Sequence, residues 1–155
     1  MKSRDAFEDF IENNLDSCFR FAYTYVKSRE AAEDIVHDSV LKALKSLHTL
    51  KDCGKIKSWF FKIIANTALN DIRSRKKFVA FNEAALSAVG NREDDYSRVT
   101  LESMFKCLPE NLCEAVTLRY FENMTISEIA EVTGINENTV KSRLYRALEM
   151  LKKTL

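Results

Sequence analysis

The stretch Thr125–Leu148 reads TISEIAEVTGINENTVKSRLYRAL. Thr125 and Glu128 stand three apart, the spacing at which a Thr caps a helix and a Glu reaches back to the capping residue. Met124 and Ile129 occupy the positions of the accompanying hydrophobic staple. A helix is therefore predicted to begin at Thr125. Gly134, a residue that tolerates positive φ, should end it. Asn136 is placed to cap a second helix, whose predicted buried stripe is Val140, Leu144, Ala147, Leu148 and Leu151. The other positions of that helix are Glu137, Asn138, Lys141, Ser142, Arg143, Tyr145 and Arg146. Amides, hydroxyls and guanidinium groups read base edges, and Lys and Arg neutralise phosphates. Two short helices with a glycine in the turn and a polar, basic second helix form the layout that docks in a major groove. Asn136, Asn138, Thr139, Lys141, Ser142, Arg143 and Arg146 are the candidate contacts. An ordinary helical hairpin with a solvated face is disfavoured by cap, turn glycine and basic face together.

Outward from this unit, the 155-residue chain is 46% hydrophobic, with three Gly and one Pro. It has enough apolar side chain for a core, and its scarcity of turn formers favours helices with short connections. No apolar run approaches the roughly 20 residues of a membrane span. The opening MKSRDAFEDF lacks the apolar centre of a signal peptide. A cytoplasmic location without membrane insertion is expected. Cys18, Cys53, Cys107 and Cys113 have no CxxC spacing and no neighbouring His, so they read as small, buried or half-buried apolar residues. His37 and His48 are isolated, and no metal or cofactor is expected.

The net charge of +1 carries no information about partners, but its distribution does. Residues 51–77 hold eight Lys/Arg against two Asp/Glu, and residues 138–155 hold five against one. Two separated basic stretches point to two contacts with a polyanion. Either one alone reads equally well as a solvated helix face.

Helical periodicity fills the rest of the chain. Residues 5–27 place Phe7, Phe10, Ile11, Leu15, Cys18, Phe19, Ala22, Tyr23 and Val26 on one predicted stripe. Ser28 should cap a second helix that buries Ala32, Ile35, Val36, Val40, Ala43, Leu44 and Leu47. Residues 49–55 read as a loop around Gly54. A third helix is predicted from about Ile56 to Lys77, through Trp59, Phe60, Ile63, Ile64, Ala68 and Ile72. Residues 79–95 lose periodicity and read as a flexible linker, with a possible helical piece over 83–89. A short helix over about 96–107 and another over about 110–121 come next. The second should start at Pro109 and bury Leu112, Ala115, Val116, Leu118 and Tyr120. The expected fold is all-α: two small helical domains, 1–78 and 96–155, joined by the linker 79–95.

LPENLCEAVTLRYFENMTISEIAEVTGINENTVKSRLYRAL resembles the promoter-reading domain 4 of bacterial sigma factors. IAEVTGI and TVKSRLYRAL are its most specific pieces. LuxR-type response regulators share a similar helix-turn-helix. AAEDIVHDSVLKALKSL resembles sigma region 2.2, and IKSWFFKIIANTALNDIRSRKK resembles regions 2.3 and 2.4. Two such domains without regions 1 or 3 resemble the extracytoplasmic-function group, over nearly the whole chain. One departure is His37, where the family often carries Gln.

The resemblance implies a transcription initiation factor that binds core RNA polymerase and reads the −10 and −35 promoter elements as single- and double-stranded DNA. It further implies a monomer when free, held by an anti-sigma factor. Glu33, Asp34, His37 and Asp38 would meet polymerase. The helix-turn-helix would read the upstream element. Lys51, Lys55, Lys57, Ser58, Trp59, Asn66, Asn70 and Arg73 would serve the downstream element, whose flipped base would be captured near 49–55. The basic run 73–77 would contact the phosphate backbone. Trp59 reads equally as a core aromatic. A dimeric regulator that never joins polymerase, or a decoy of sigma fold, are the competing readings. No nucleophile–base arrangement or phosphate-cradling loop points to an enzyme.

Overall fold

The computed structural model describes residues 2–81 and 108–154, and every regular element among them is helical. In the first half, α1 (Lys2–Val26), α2 (Arg29–Lys45) and α3 (Ile56–Phe81) pack pairwise against one another. Ser28 caps α2 as its spacing predicted, accepting from the Ala31 backbone N–H. Between α2 and α3 the chain makes two 3₁₀ turns, Leu47–Thr49 and Cys53–Lys55.

α1 departs from its predicted stripe. Its buried apolar residues are Phe7, Phe10, Cys18, Phe21, Ala22 and Tyr25. Ile11, Phe19, Tyr23 and Val26 are only partly buried, and Leu15 is 51% exposed. Apolar side chains lie around much of this helix, so periodicity alone does not select a face. The Phe21 ring stacks on Phe61 at 5.1 Å, and Phe7 meets Phe60 edge-on at 5.2 Å. Such aromatic pairs add to burial and fix which side faces α3. α1 also kinks at Asn14, whose backbone is non-helical and whose amide donates to the Phe10 carbonyl.

α3 runs past Lys77 to Phe81, so the first residues of the expected linker are helical. The remainder of that linker and the expected helices over 83–89 and 96–107 lie outside the described residues.

The second half holds α4 (Glu110–Val116), α5 (Ile126–Thr133) and α6 (Glu137–Thr154). After Val116 the chain widens into a π-helical turn, Thr117–Phe121, closed by the Glu122 N–H on the Thr117 carbonyl. The extra residue turns Tyr120 outward, where it is half exposed rather than buried as expected. Arg119 donates to the Met124 carbonyl and braces the turn into α5.

The buried residues of the two halves form one continuous apolar core. α5 lies along α3, and α4 packs against α1.

Candidate nucleic-acid interface

The helix-turn-helix forms as its capping residues dictate. The Glu128 N–H donates to Thr125 Oγ1 at 3.1 Å, and the Thr125 N–H donates to Glu128 Oε1 at 2.9 Å. Both halves of the capping box are thus closed. Gly134 ends α5 at φ +77°, in the left-handed region where a Cβ is strained. Asn136 Oδ1 accepts from the Thr139 N–H at 2.8 Å and caps α6. Val140, Leu144, Ala147 and Leu151 are buried. Leu148 is not: it is 44% exposed.

Asn136, Asn138, Lys141, Ser142 and Arg146 share the exposed side of α6, with Thr139 and Arg143 half-buried. Arg143 lies near enough to the buried Glu114 for its charge to act on that carboxyl. Tyr145, 68% exposed, adds an aromatic to this face that the candidate set lacked. It borders a shallow hollow with Ser142, Arg146, Glu149, Met150 and Lys153.

The downstream candidates spread over a loop and one helix. Asp52 accepts from the Gly54 N–H at 2.9 Å, a tight turn that holds Lys51 and Lys55 exposed on either side. A side chain at position 54 would meet Asp52 Oδ1 at 3.2 Å, so glycine suits the turn. Asn66, Asn70 and Arg73 are exposed along α3. Trp59 is half-buried. Its ring meets Phe7 edge-on at 6.0 Å, and its indole N–H donates to Thr49 Oγ1 at 3.1 Å. It thus props the loop while packing at the rim of the core. Ser58 must be removed from the exposed set: it is buried and donates to the Lys55 carbonyl, because its position in the first turn of α3 faces inward. Lys57 is half-buried and engaged by Glu122 of the second half.

Glu33, Asp34, His37 and Asp38 form one exposed acidic strip on α2. Arg29 makes a 3.6 Å surface pair with Glu33. Lys42, exposed as well, donates to Thr67 on α3.

Two buried carboxylates occupy the seam between the halves. Glu114 accepts a hydrogen bond from the Tyr25 hydroxyl. Burial pushes Glu114 up to about 7, against the opposing charge of Arg143. Glu122 pairs with Arg20 and Lys57. Cys18 lies beside this cluster. Burial, reinforced by Glu122, pushes its thiol up to about 12. Burial likewise raises Cys113 to about 11. Both are inert buried thiols, as expected. Cys53 is exposed in the loop turn, against expectation, since that turn has no core beneath it. Cys107 lies outside the described residues. Sequence reasoning missed the seam residues Arg20, Glu114 and Glu122. Isolated charges on helix faces carry no signal of a partner about a hundred residues away.

No helix among the described residues is long and apolar enough to cross a membrane. Residues 10–78 match the family described as Sigma-70 region 2, and residues 98–151 match Sigma-70, region 4. RNA polymerase sigma factor SigV of Bacillus subtilis (strain 168) is 38% identical over 143 residues, 92% of this chain and 86% of that protein. The ECF RNA polymerase sigma factor SigM of the same organism is 24% identical, over 94% of this chain and 92% of that protein. The fold is that of sigma factor RpoE, solved with the anti-sigma factor NepR from Bartonella quintana: TM-score 0.80, 23% identity, 95% of this chain and 94% of that one. The chain belongs to the sigma-70 family of RNA polymerase sigma factors, in its extracytoplasmic-function group, whose members direct polymerase to promoters.

Proposed function

We propose that this sigma factor divides its work over three surfaces. Asn136, Asn138, Thr139, Lys141, Ser142, Arg143 and Arg146 read the upstream promoter element from α6. Lys51, Lys55, Lys57, Trp59, Asn66, Asn70 and Arg73 take the downstream element, with the 49–55 loop receiving an extruded base. The acidic strip Glu33, Asp34, His37 and Asp38 docks on a basic surface of core polymerase and steers association. Residues 1–78 and 96–155 act as the two functional units, with 79–95 between them. The free protein is a cytoplasmic monomer without a cofactor, acts on no substrate of its own, and is held by an anti-sigma factor.

The observation that carries this reading is the capped, glycine-turned helix pair with its polar and basic face exposed on α6. A basic helix face presented this way fits a major groove. Partner control rests on likeness: the RpoE relative was solved bound to an anti-sigma factor. The test is transcription in vitro from a genomic promoter library with core polymerase and the purified chain. A discrete set of promoter-dependent transcripts is expected. Their absence, with core binding intact, would overturn promoter reading.

A further inference from the structure

Glu122 stands in the turn between the π-helical segment and α5, with a side chain only 1% exposed. A buried carboxylate is tolerated when cations and donors surround it. Here they come from the other half of the chain. Arg20 Nη1 on α1 reaches Oε2 at 3.2 Å, and its guanidinium lies 5.3 Å from the centre of the Phe121 ring. Lys57 Nζ, in the first turn of α3, lies 3.3 Å from Oε1 and donates to the Glu122 carbonyl at 3.0 Å. The Lys57 hydrogen bond goes to the carbonyl, so Oε1 has a charge contact but no aligned donor. Glu122 is therefore clasped but incompletely satisfied, an arrangement that holds a seam without making it irreversible.

Lys57 flanks the 49–55 loop and precedes Trp59, among the residues proposed to take the downstream DNA. A phosphate and a carboxylate make the same demand on an ammonium group: negative oxygen at hydrogen-bond distance. We propose that Glu122 acts as an internal stand-in for a DNA phosphate, latching the second half onto the first and withholding Lys57 from nucleic acid until the halves separate. The exposed face of α6 is untouched by the latch, and Lys51, Lys55, Asn66, Asn70 and Arg73 stay exposed, so closure withholds Lys57 alone from the downstream set and leaves the upstream contact open. The withholding part rests on the proposed DNA role of Lys57; the latch itself does not.

The test uses the full chain without polymerase. Small-angle scattering reports opening, and a fluorescein-labelled, mixed-sequence single-stranded oligodeoxynucleotide reports DNA affinity. Glu122→Gln keeps the shape and removes the charge. It should enlarge the radius of gyration and raise oligonucleotide affinity on the order of tenfold, the size of one lost charge-assisted contact in the closed state. Arg20→Gln, which alters no proposed DNA contact, should shift both readouts the same way by a smaller factor. If far-UV circular dichroism shows Glu122→Gln unfolded, Arg20→Gln decides.

Folded variants that stay compact with unchanged affinity overturn the latch. Opening without a gain in affinity overturns the withholding of Lys57. Promoter-directed transcription by the wild-type chain is scored separately, so failure of the sigma reading and failure of the latch are told apart.

Discussion

Two arginines one turn apart on α6 have different surroundings and should fail differently. Arg146 is exposed, and nothing in the core depends on it. Arg146→Ala should weaken binding of an upstream-element duplex and lower the slope of log K against log salt by about 0.9, one phosphate's worth. Its melting temperature should stay within about 1 °C of wild type. Arg143 is half-buried and its charge acts on the buried Glu114. Arg143→Ala should therefore lose both promoter occupancy and thermal stability. Salt-dependent duplex binding and melting curves on the two variants check this. Equal melting losses would show that Arg146 is also structural. The same attention to surroundings separates Ser58 from its neighbours: residue type and spacing admitted it, but only burial shows that it faces the core.

At the scale of the helix, local chemistry is strongest where capping is encoded. The closed capping box at Thr125 and Glu128 and the left-handed Gly134 bracket α5 within its eight residues. So short a helix depends on its ends. Thr125→Ala should cost about 1 kcal/mol, or roughly 2–4 °C in melting temperature for a chain of this size, with Thr125→Ser restoring it. Differential scanning calorimetry decides the point, and an unchanged melt for the Ala variant would show the cap carries no weight. α1 is the opposite case. Its ends and helical character were legible, but its buried face was not. Phe21 and Tyr25 were missed, and Leu15 was misplaced, because a helix apolar around most of its circumference takes its orientation from what it meets. Tyr120 was misplaced for a backbone reason: the π-turn adds a residue and rotates the side chains beyond it.

For the molecule as a whole, the seam makes stability depend on pH. Glu114 lies in it, hydrogen-bonded by Tyr25 from α1 and opposed by Arg143 from α6. Its carboxyl is raised from 4.5 to about 7, chiefly by burial, so the packed protein prefers the protonated form. A group raised in this way binds its proton more tightly folded than unfolded. Its contribution is complete below 4.5, declines as pH rises, and is lost once pH passes about 7. The melting temperature should fall on the order of 5 °C between about pH 5 and pH 8 from this group. Glu114→Gln should flatten the decline. Thermal melts across that range test it, and parallel profiles for the two proteins would reject it.

The all-helical class, the two family regions, the bounds of the helix-turn-helix and the basic character of α6 are legible in the order of residues alone. Those rest on interactions three or four residues apart: a Thr and the Glu after it, a glycine at a left-handed turn, an apolar side chain every turn. The tertiary structure alone decided which side of α1 is buried and that Ser58 faces inward. It alone brought Glu114 to Tyr25, and Glu122 to Arg20 and Lys57, across roughly 65 to 102 residues. Partners at such separations leave no periodic trace in a sequence, because what joins them is the packing of helices whose contact faces the chain's local pattern does not choose.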